Sequence, residues 1–368
     1  MKIKIKKNIL LENLNIINNG VSTKNLLPQL ASILIESSDL GLKFTSSNNN
    51  ISINTTVDSE NIEEISFNGK ILIPGKFFVE IIKKTDDDII NIELTDNNRV
   101  LIHTKSYDTY LNSIDASLFP EISFEKIKNP IKISKITFKK IVDKVGFAAN
   151  LNEDRPILKG INFKLSTNNI ECIATDTHRL SKLNSELENS TIQNLTISTG
   201  NLSILKNLLS DDGELEFHIF DNYINFVFDN ICFISKILNG NYPDVSRNFK
   251  TEFSTVINVD RHNLIKSLER TSLFTNEVKF EINNSNLYLT TGLLEIGNIN
   301  EKLNIECVTG EKYKITMSVK NILDALKAFE SKIITMNFNS PIEPVIIKCD
   351  ENLNLVQLIV PIMTNEAV

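Results

Sequence analysis

A chain that repeats itself must fold as a set of like units, and this one repeats at intervals of about 120 residues. Phe119-Pro120-Glu121-Ile122-Ser123 and Tyr242-Pro243-Asp244-Val245-Ser246 share the order aromatic, proline, acid, β-branched residue, serine, at an offset of 123. A third proline, Pro361, follows the apolar run LVQLIV and lies 118 residues after Pro243. Each proline ends an extended, β-rich run, as expected of a residue that cannot donate to a sheet ladder.

Helix signals keep the same interval. Near the start of each third lies an amphipathic stretch: KKNILLENLNII from Lys6, SKITFKKIVDKV from Ser134 and RHNLIKSLERTS from Arg261. Phe138, Ile141, Val142 and Val145 recur at three and four residues, the period of one helix face. A second set follows midway: KFFVEIIKK from Lys76, LSILKNLL from Leu202 and KNILDALKAFE from Lys320. Between them the chain alternates as strands with Asn, Asp and Gly turns, such as LEFHIF and EPVIIKC. The expectation is an α+β fold of three structurally alike domains, each with two helices packed on antiparallel sheets. Their boundaries fall at 1–125, 126–249 and 250–368, which suits a chain of 368 residues. The bridging stretches EKIKNPIKIS and RNFKTEFS are too poor in Gly and Ser to be flexible linkers.

The formal net charge is −7, which by itself argues against nucleic acid. Its distribution argues the other way. The six helical stretches hold 16 basic and 6 acidic residues, net +10, and the rest of the chain is net −17. Lys135, Lys139, Lys140 and Lys144 form the clearest basic stripe, and Arg261, Lys266 and Arg270 a second. For a single helix, such lysines are ordinary solubilising charge. Six helices biased one way suit phosphate backbones, bound without base readout and in a salt-sensitive way. Acidic sheets would repel the same duplex and so confine it to the helices.

Several function classes lack their signatures. There is no GxxxxGK[ST] loop, no Gly-rich dinucleotide loop and no HExxH, so no nucleotide, cofactor or metal is expected. Cys172, Cys232, Cys307 and Cys349 are 60, 75 and 42 residues apart, which suggests reduced thiols in a cytoplasmic protein rather than a disulfide framework. No apolar run is long enough to span a bilayer, and the basic N-terminus is broken by Glu12 and asparagines, unlike a signal peptide.

One stretch invites an enzyme reading: ATDTHRLS at 174–181, with Asp176, His178, Arg179 and Ser181 within six positions. In an extended segment 176 and 178 share a face while 181 points to the other, and nothing supplies an oxyanion hole. A nuclease would want clustered carboxylates for metal, and Asp86, Asp87 and Asp88 read more simply as a solvated turn. A repeat-built adaptor without DNA would keep the fold and leave the basic helices unexplained.

The segments ATDTHRL, SKILNGNYPDVSR, LFPEIS, RPILKGINF and the ending LIVPIM resemble the bacterial DNA polymerase III beta subunit family, the sliding clamps, in order and over essentially the whole chain. The resemblance implies the DNA clamp fold closed into a head-to-tail homodimeric ring. It also implies a function: encircling double-stranded DNA and tethering the replicative polymerase's alpha-type subunit and other DNA-processing proteins, non-catalytic in itself, with a separate loader to place it.

By matching position it implies a partner-peptide cleft of Leu158, Thr175, Thr177, His178, Arg179, Leu180, Pro243, Arg247, Leu358, Val360, Pro361, Ile362 and Met363. Prolines and aliphatics would form an apolar trough, and His178, Arg179 and Arg247 would hold the backbone of an extended peptide. Asp176 and Ser181 become structural supports. Thr177 stands where the family usually has glycine, Met363 where arginine is common, and the tail TNEAV runs past the usual end. For DNA, the resemblance carries over to Lys24 and Arg155, while helix phase adds Lys76, Lys139, Lys140, Lys144, Lys266 and Arg270. Leu111, Leu273 and Phe274 match apolar dimer-interface positions.

Overall fold

The six amphipathic stretches are the six α-helices among the residues described by the structure, a computed structural model covering 1–22, 27–95, 98–188, 191–292, 297–310 and 312–363. They are α1 (Lys7–Ile17), α2 (Gly75–Lys83), α3 (Lys135–Val145), α4 (Thr199–Leu208), α5 (Arg261–Thr271) and α6 (Val319–Lys327). Each buries the face its spacing predicts: Leu10, Leu14 and Ile17 in α1, and Phe138, Ile141, Val142 and Val145 in α3. Asp260 and Ser318 begin α5 and α6 by accepting from the Asn263 and Asn321 amides, caps worth about 1 kcal/mol each. None of these helices is long and apolar enough to cross a membrane.

The chain packs as two units, Met1–Lys135 with Ser203–Ile237, and Ile136–Leu202 with Leu238–Val368. The first holds an eight-stranded antiparallel sheet in the order Ile131–Ser134, Glu214–Ile219, Tyr223–Phe228, Ile231–Lys236, Ile51–Asp58, Gly41–Ser47, Ser32–Ser38, Gly69–Pro74. Its second sheet has five strands and ends at the edge strand Asp108–Asn112. The second unit holds a nine-stranded sheet in the order Gln193–Ser198, Gly160–Ser166, Asn169–Thr175, Arg179–Glu186, Leu355–Ile359, Val345–Lys348, Ile333–Phe338, Thr255–Asp260, Glu306–Thr309. A four-stranded sheet accompanies it. Packing therefore cuts across the repeat, because the central third gives four strands to the first unit's large sheet and four to the second's.

Backbone hydrogen bonds give the repeat its true register. Ile114, Leu238 and Ile362 each donate an amide to the edge strand of their own third, at Leu72, Thr196 and Thr316, over 2.8–2.9 Å. The three donors are spaced by 124 and 124 residues. Pro120 and Pro243 follow their donors by six and five residues, but Pro361 precedes its own. The expectation that Pro361 is the third copy of that proline is therefore corrected. Pro361 follows the strand Leu355–Ile359, whereas Pro120 follows the turn Ala116–Leu118 and Pro243 lies in the connection after the strand Ile231–Lys236, so the expected strand end holds for Pro361 alone.

The lysine stripe of α3 is corrected too. Lys135 is 1 % exposed, and its ammonium donates to Asp229 at 2.8 Å and to Ser210 at 3.0 Å, near the Phe228 ring. At the first turn of the helix its side chain is drawn into the sheet, leaving three lysines on the stripe.

Candidate functional site

The segment 174–181 is a β-turn between two long strands, Asn169–Thr175 and Arg179–Glu186, and its acid builds the turn. Asp176 Oδ1 accepts from the amides of His178 and Arg179, both at 3.0 Å. Thr175 Oγ1 donates to the Arg179 carbonyl at 2.6 Å and accepts from the Thr177 amide at 3.1 Å. Thr177 takes a φ of +75°, a left-handed conformation open to glycine and costly for a β-branched residue. Its side chain and that of His178 are exposed. The turn thus keeps the conformation expected of the family's glycine while holding a threonine in it.

Arg179 does not face a groove as expected. It is buried, with Nε on Asp176 Oδ2 at 3.1 Å, Nη1 on Asp324 Oδ2 of α6 at 2.6 Å, and its guanidinium 5.4 Å from the centre of the Phe147 ring. It bolts the turn to α6. Ser181 is also buried, and its hydroxyl donates to the Lys144 carbonyl at the end of α3 over 2.7 Å. The hydroxyl's one proton is therefore engaged with backbone, and the Asp176–His178–Ser181 set does not assemble as a triad.

The apolar part forms where the strand Arg179–Glu186 pairs with Leu355–Ile359, with Leu180 opposite Leu358 and Arg179 opposite Ile359. Ile173, Leu180, Val245, Ile346, Val356 and Leu358 pack as one cluster, flanked by Tyr242, Phe249, Phe253 and Val360. Burial raises the Tyr242 phenol well above its usual range, against a smaller opposite effect of the Thr175 backbone. Exposed Pro243 and Arg247 bracket Val245. The chain then leaves one sheet for the other: the Val360 amide donates to His178 O and the Ile362 amide to Thr316 O, each at 2.8 Å. Pro361 is buried, Ile362 half-buried and Met363 76 % exposed.

Of the expected cleft residues, the structure brings together Thr175, Thr177, His178, Leu180, Leu358 and Val360, with Pro243 and Arg247 beside them. Leu158 is buried in the turn Pro156–Lys159, outside that cluster. The tail TNEAV lies outside the described residues. Sequence reasoning missed Ile173, Ile346 and Val356, which lie in apolar runs where alternation does not separate the two faces, and missed Phe147 and Asp324, for which no local pattern exists.

The expected DNA contacts are dispersed. Lys24 lies outside the described residues. Lys76 on α2, Lys140 on α3 and Lys266 on α5 are exposed, and Lys139 is half-buried. Lys144 pairs with Glu330 at 2.9 Å, Arg155 with Glu153 at 3.1 Å, and Arg270 with Glu301 at 2.6 Å. Among the interface positions, Leu111 sits half-buried on the edge strand of the five-stranded sheet, Leu273 is 76 % exposed after α5, and Phe274 is half-buried. Among the described residues no His, Cys, Asp and Glu gather as a metal site.

Comparison with known proteins follows this geometry along the chain. Models of the N-terminal, central and C-terminal domains of the DNA polymerase III beta subunit match residues 1–123, 132–244 and 247–363. The beta sliding clamp of Streptococcus pneumoniae is 31% identical over 98% of this chain and 99% of its own length. That of Staphylococcus epidermidis is 31% identical over 99% and 100%. The crystal structure of the Bacillus subtilis DNA polymerase sliding clamp superposes with a TM-score of 0.94 at 30% identity, covering 99% of both chains. With three domain models matched in order across nearly its whole length, the chain belongs to the DNA polymerase III beta subunit family, that of the sliding clamps.

Proposed function

We propose that the protein is a DNA sliding clamp of replication: two copies close head to tail into a ring around duplex DNA and hold the replicative polymerase and other DNA-processing proteins to it. The observation that carries this reading is the match of one family's three domain models in order along an acidic chain whose six helical stretches are together net positive. The three domains run 1–125, 126–249 and 250–368. Lys24, Lys76, Lys139, Lys140, Lys144, Arg155, Lys266 and Arg270 meet the phosphates, without sequence preference. Leu111 of one copy meets Leu273 and Phe274 of the other, which gives the exposed Leu273 a partner.

Peptide motifs of the polymerase, the loader and other partners dock on the Leu180–Leu358 cluster, between His178, Pro243, Arg247 and Met363. The protein acts in the cytoplasm, adds no chemistry of its own and serves processivity by topology. Retention on DNA tests this: a dimer loaded on nicked circular DNA stays through gel filtration and is released when the circle is cut. A stable monomer, or release that ignores cutting, would sink the proposal.

A further inference from the structure

Two of the basic residues assigned to DNA, Arg270 and Lys144, are paired with acids in very different ways. Glu301 is 19% exposed and takes hydrogen bonds from Arg270 and Ser267, so the acid paired with Arg270 is fixed to the fold. Glu330 is the reverse case. Its side chain is 79% exposed, and it meets a Lys144 side chain that is only 14% exposed. The lysine is held in place and the acid is free to leave.

Glu330 lies in the segment after α6, facing the end of α3. Arg261 fixes that segment from a third direction, donating Nε to Ser331 O at 2.8 Å and Nη2 to Glu330 O at 3.4 Å. The Glu330 carboxyl is held below the usual carboxylate range by Lys144 first, then by the charges of Lys140 and Arg261. A cavity of about 390 Å³ opens beside it, lined among others by Lys140, Lys144, Ser331 and Asn352. Glu330 thus has three cations around it, and the cavity beside it has one further acid, Glu351, in its lining.

We propose that Glu330 is a built-in phosphate surrogate, occupying the Lys140–Lys144–Arg261 cluster and yielding it to a backbone phosphate of the encircled duplex. The inference rests on the sliding-clamp reading. A phosphodiester carries one negative charge, as the carboxylate does, so the exchange leaves the cluster's charge balance unchanged. Only the difference between two ion pairs remains to bind DNA at this point. The contact is therefore weak and reversible, as a ring that must slide requires. Lys144 is the pivot because its carbonyl also accepts from Ser181 and from Gln357 at 3.4 Å, which holds the end of α3 against the paired strands.

The test measures binding of the full-length dimer to a short duplex by fluorescence anisotropy across a salt series. Glu330→Gln is expected to bind roughly twofold to fivefold tighter at moderate salt, the worth of one surface ion pair, with a log K against log salt slope steeper by up to about 0.9. Glu281→Gln removes the same charge from a pair with Lys314 on the four-stranded sheet and is expected to change nothing. In a Lys144→Gln background, Glu330→Gln should gain little. An equal gain from Glu281→Gln, a full gain without Lys144, or no gain at all overturns the proposal while leaving the clamp reading in place. A wild-type dimer that binds no duplex at any salt overturns both.

Discussion

Two places in the molecule join one third of the chain to the next by strand pairing, and they share one backbone plan. In the first unit Ile51–Asp58 pairs with Ile231–Lys236, and in the second Arg179–Glu186 pairs with Leu355–Ile359. Asn48 Oδ1 accepts from the Asn50 and Ile51 amides just as Asp176 Oδ1 accepts from those of His178 and Arg179. The Lys236 amide donates to Asn50 O at 3.0 Å, and the Val360 amide to His178 O at 2.8 Å. The side chains share no such plan. Where the second join has Ile173, Leu180 and Ile346, the register places Thr45, Ser52 and Asn225 at the first.

Those polar residues are consumed internally. Ser52 bonds Ser47 at 2.7 Å, Asn54 bonds Thr45 at 3.1 Å, and Asn225 donates to the Glu125 carbonyl of the connecting chain at 2.8 Å. A cavity of about 390 Å³ remains at the first join, lined by Lys43, Thr45 and the linker residues Pro120, Ile122 and Phe124. At the second, the linker brings Phe249 and Phe253 to the edge of an apolar cluster, and exposed Pro243, His178 and Met363 stand at its border. Fold repetition therefore places equivalent positions at both joins. Side chains then decide how apolar each join is, since each buried Leu or Ile contributes about 1.5–3 kcal/mol that a serine cannot.

The largest expected effect comes from giving the second join the residue its counterpart carries. Arg179 corresponds to Ile51, so Arg179→Ile makes the two turns alike but strips Asp176 and Asp324 of their cation. We expect a loss of about 3 kcal/mol in denaturant unfolding, as for breaking a buried pair. A loss under about 1 kcal/mol would mean that Arg179 does not bolt the turn to α6. Leu180→Ser copies Ser52 and should cost about 2–3 kcal/mol through lost burial and a hydroxyl without a designed partner. The same variant should weaken a bound partner peptide at least tenfold in a direct titration. Unchanged peptide affinity would remove the Leu180–Leu358 cluster from the proposed docking site.

Much of this was legible in the sequence, for physical reasons. Helix faces announce themselves locally, and all six amphipathic stretches are helices in the structure. The segment 174–181 was read as extended, and the turn that Asp176 and Thr175 build over two to four residues is seen only in the structure. The Arg179–Asp324 pair spans 145 residues, and no local periodicity encodes it. Glu330 looked like any charge after a helix, because its meaning comes from three cations on other segments. Pro361 misled because a proline after an apolar run looks the same whether it ends a strand or lies in a connection, and only the Ile362 amide shows the register.

Smaller effects sharpen the comparison. Asn48, Asn49 and Asn50 carry the first turn with residues suited to turns, whereas Thr177 holds a positive φ in the second. Thr177→Gly should stabilise the protein by about 1 kcal/mol, the strain released less the added freedom of the unfolded chain. A melting temperature that falls instead would show that the Thr177 side chain is held by contacts worth more than its strain.

The smallest effect distinguishes how the two linkers are held. Lys43 lies 5.9 Å from the centre of the Phe124 ring, and Lys182 4.5 Å from that of Phe249. Both lysines also meet an acid, Lys182 with Glu171 at 3.0 Å and Lys43 with Glu36 at a longer 3.8 Å. Burial pushes the Glu171 carboxyl up, but Lys182 and then Lys164 outweigh it and hold the group below its ordinary value. A carboxylate with a lowered folded pKa gives stability that is fully present above its unfolded pKa, near 4.3, and is lost as pH falls through the folded value. For a partly exposed pair this is within about 1 kcal/mol. Glu171→Gln should therefore melt slightly lower than wild type at pH 7 and converge with it as the pH drops below about 4. Lys43→Gln, acting on the first linker, should show no such convergence that depends on Glu171. If the Glu171→Gln difference persisted undiminished at pH 3, the second linker would owe its hold to the Lys182–Phe249 contact and not to the Glu171 carboxylate.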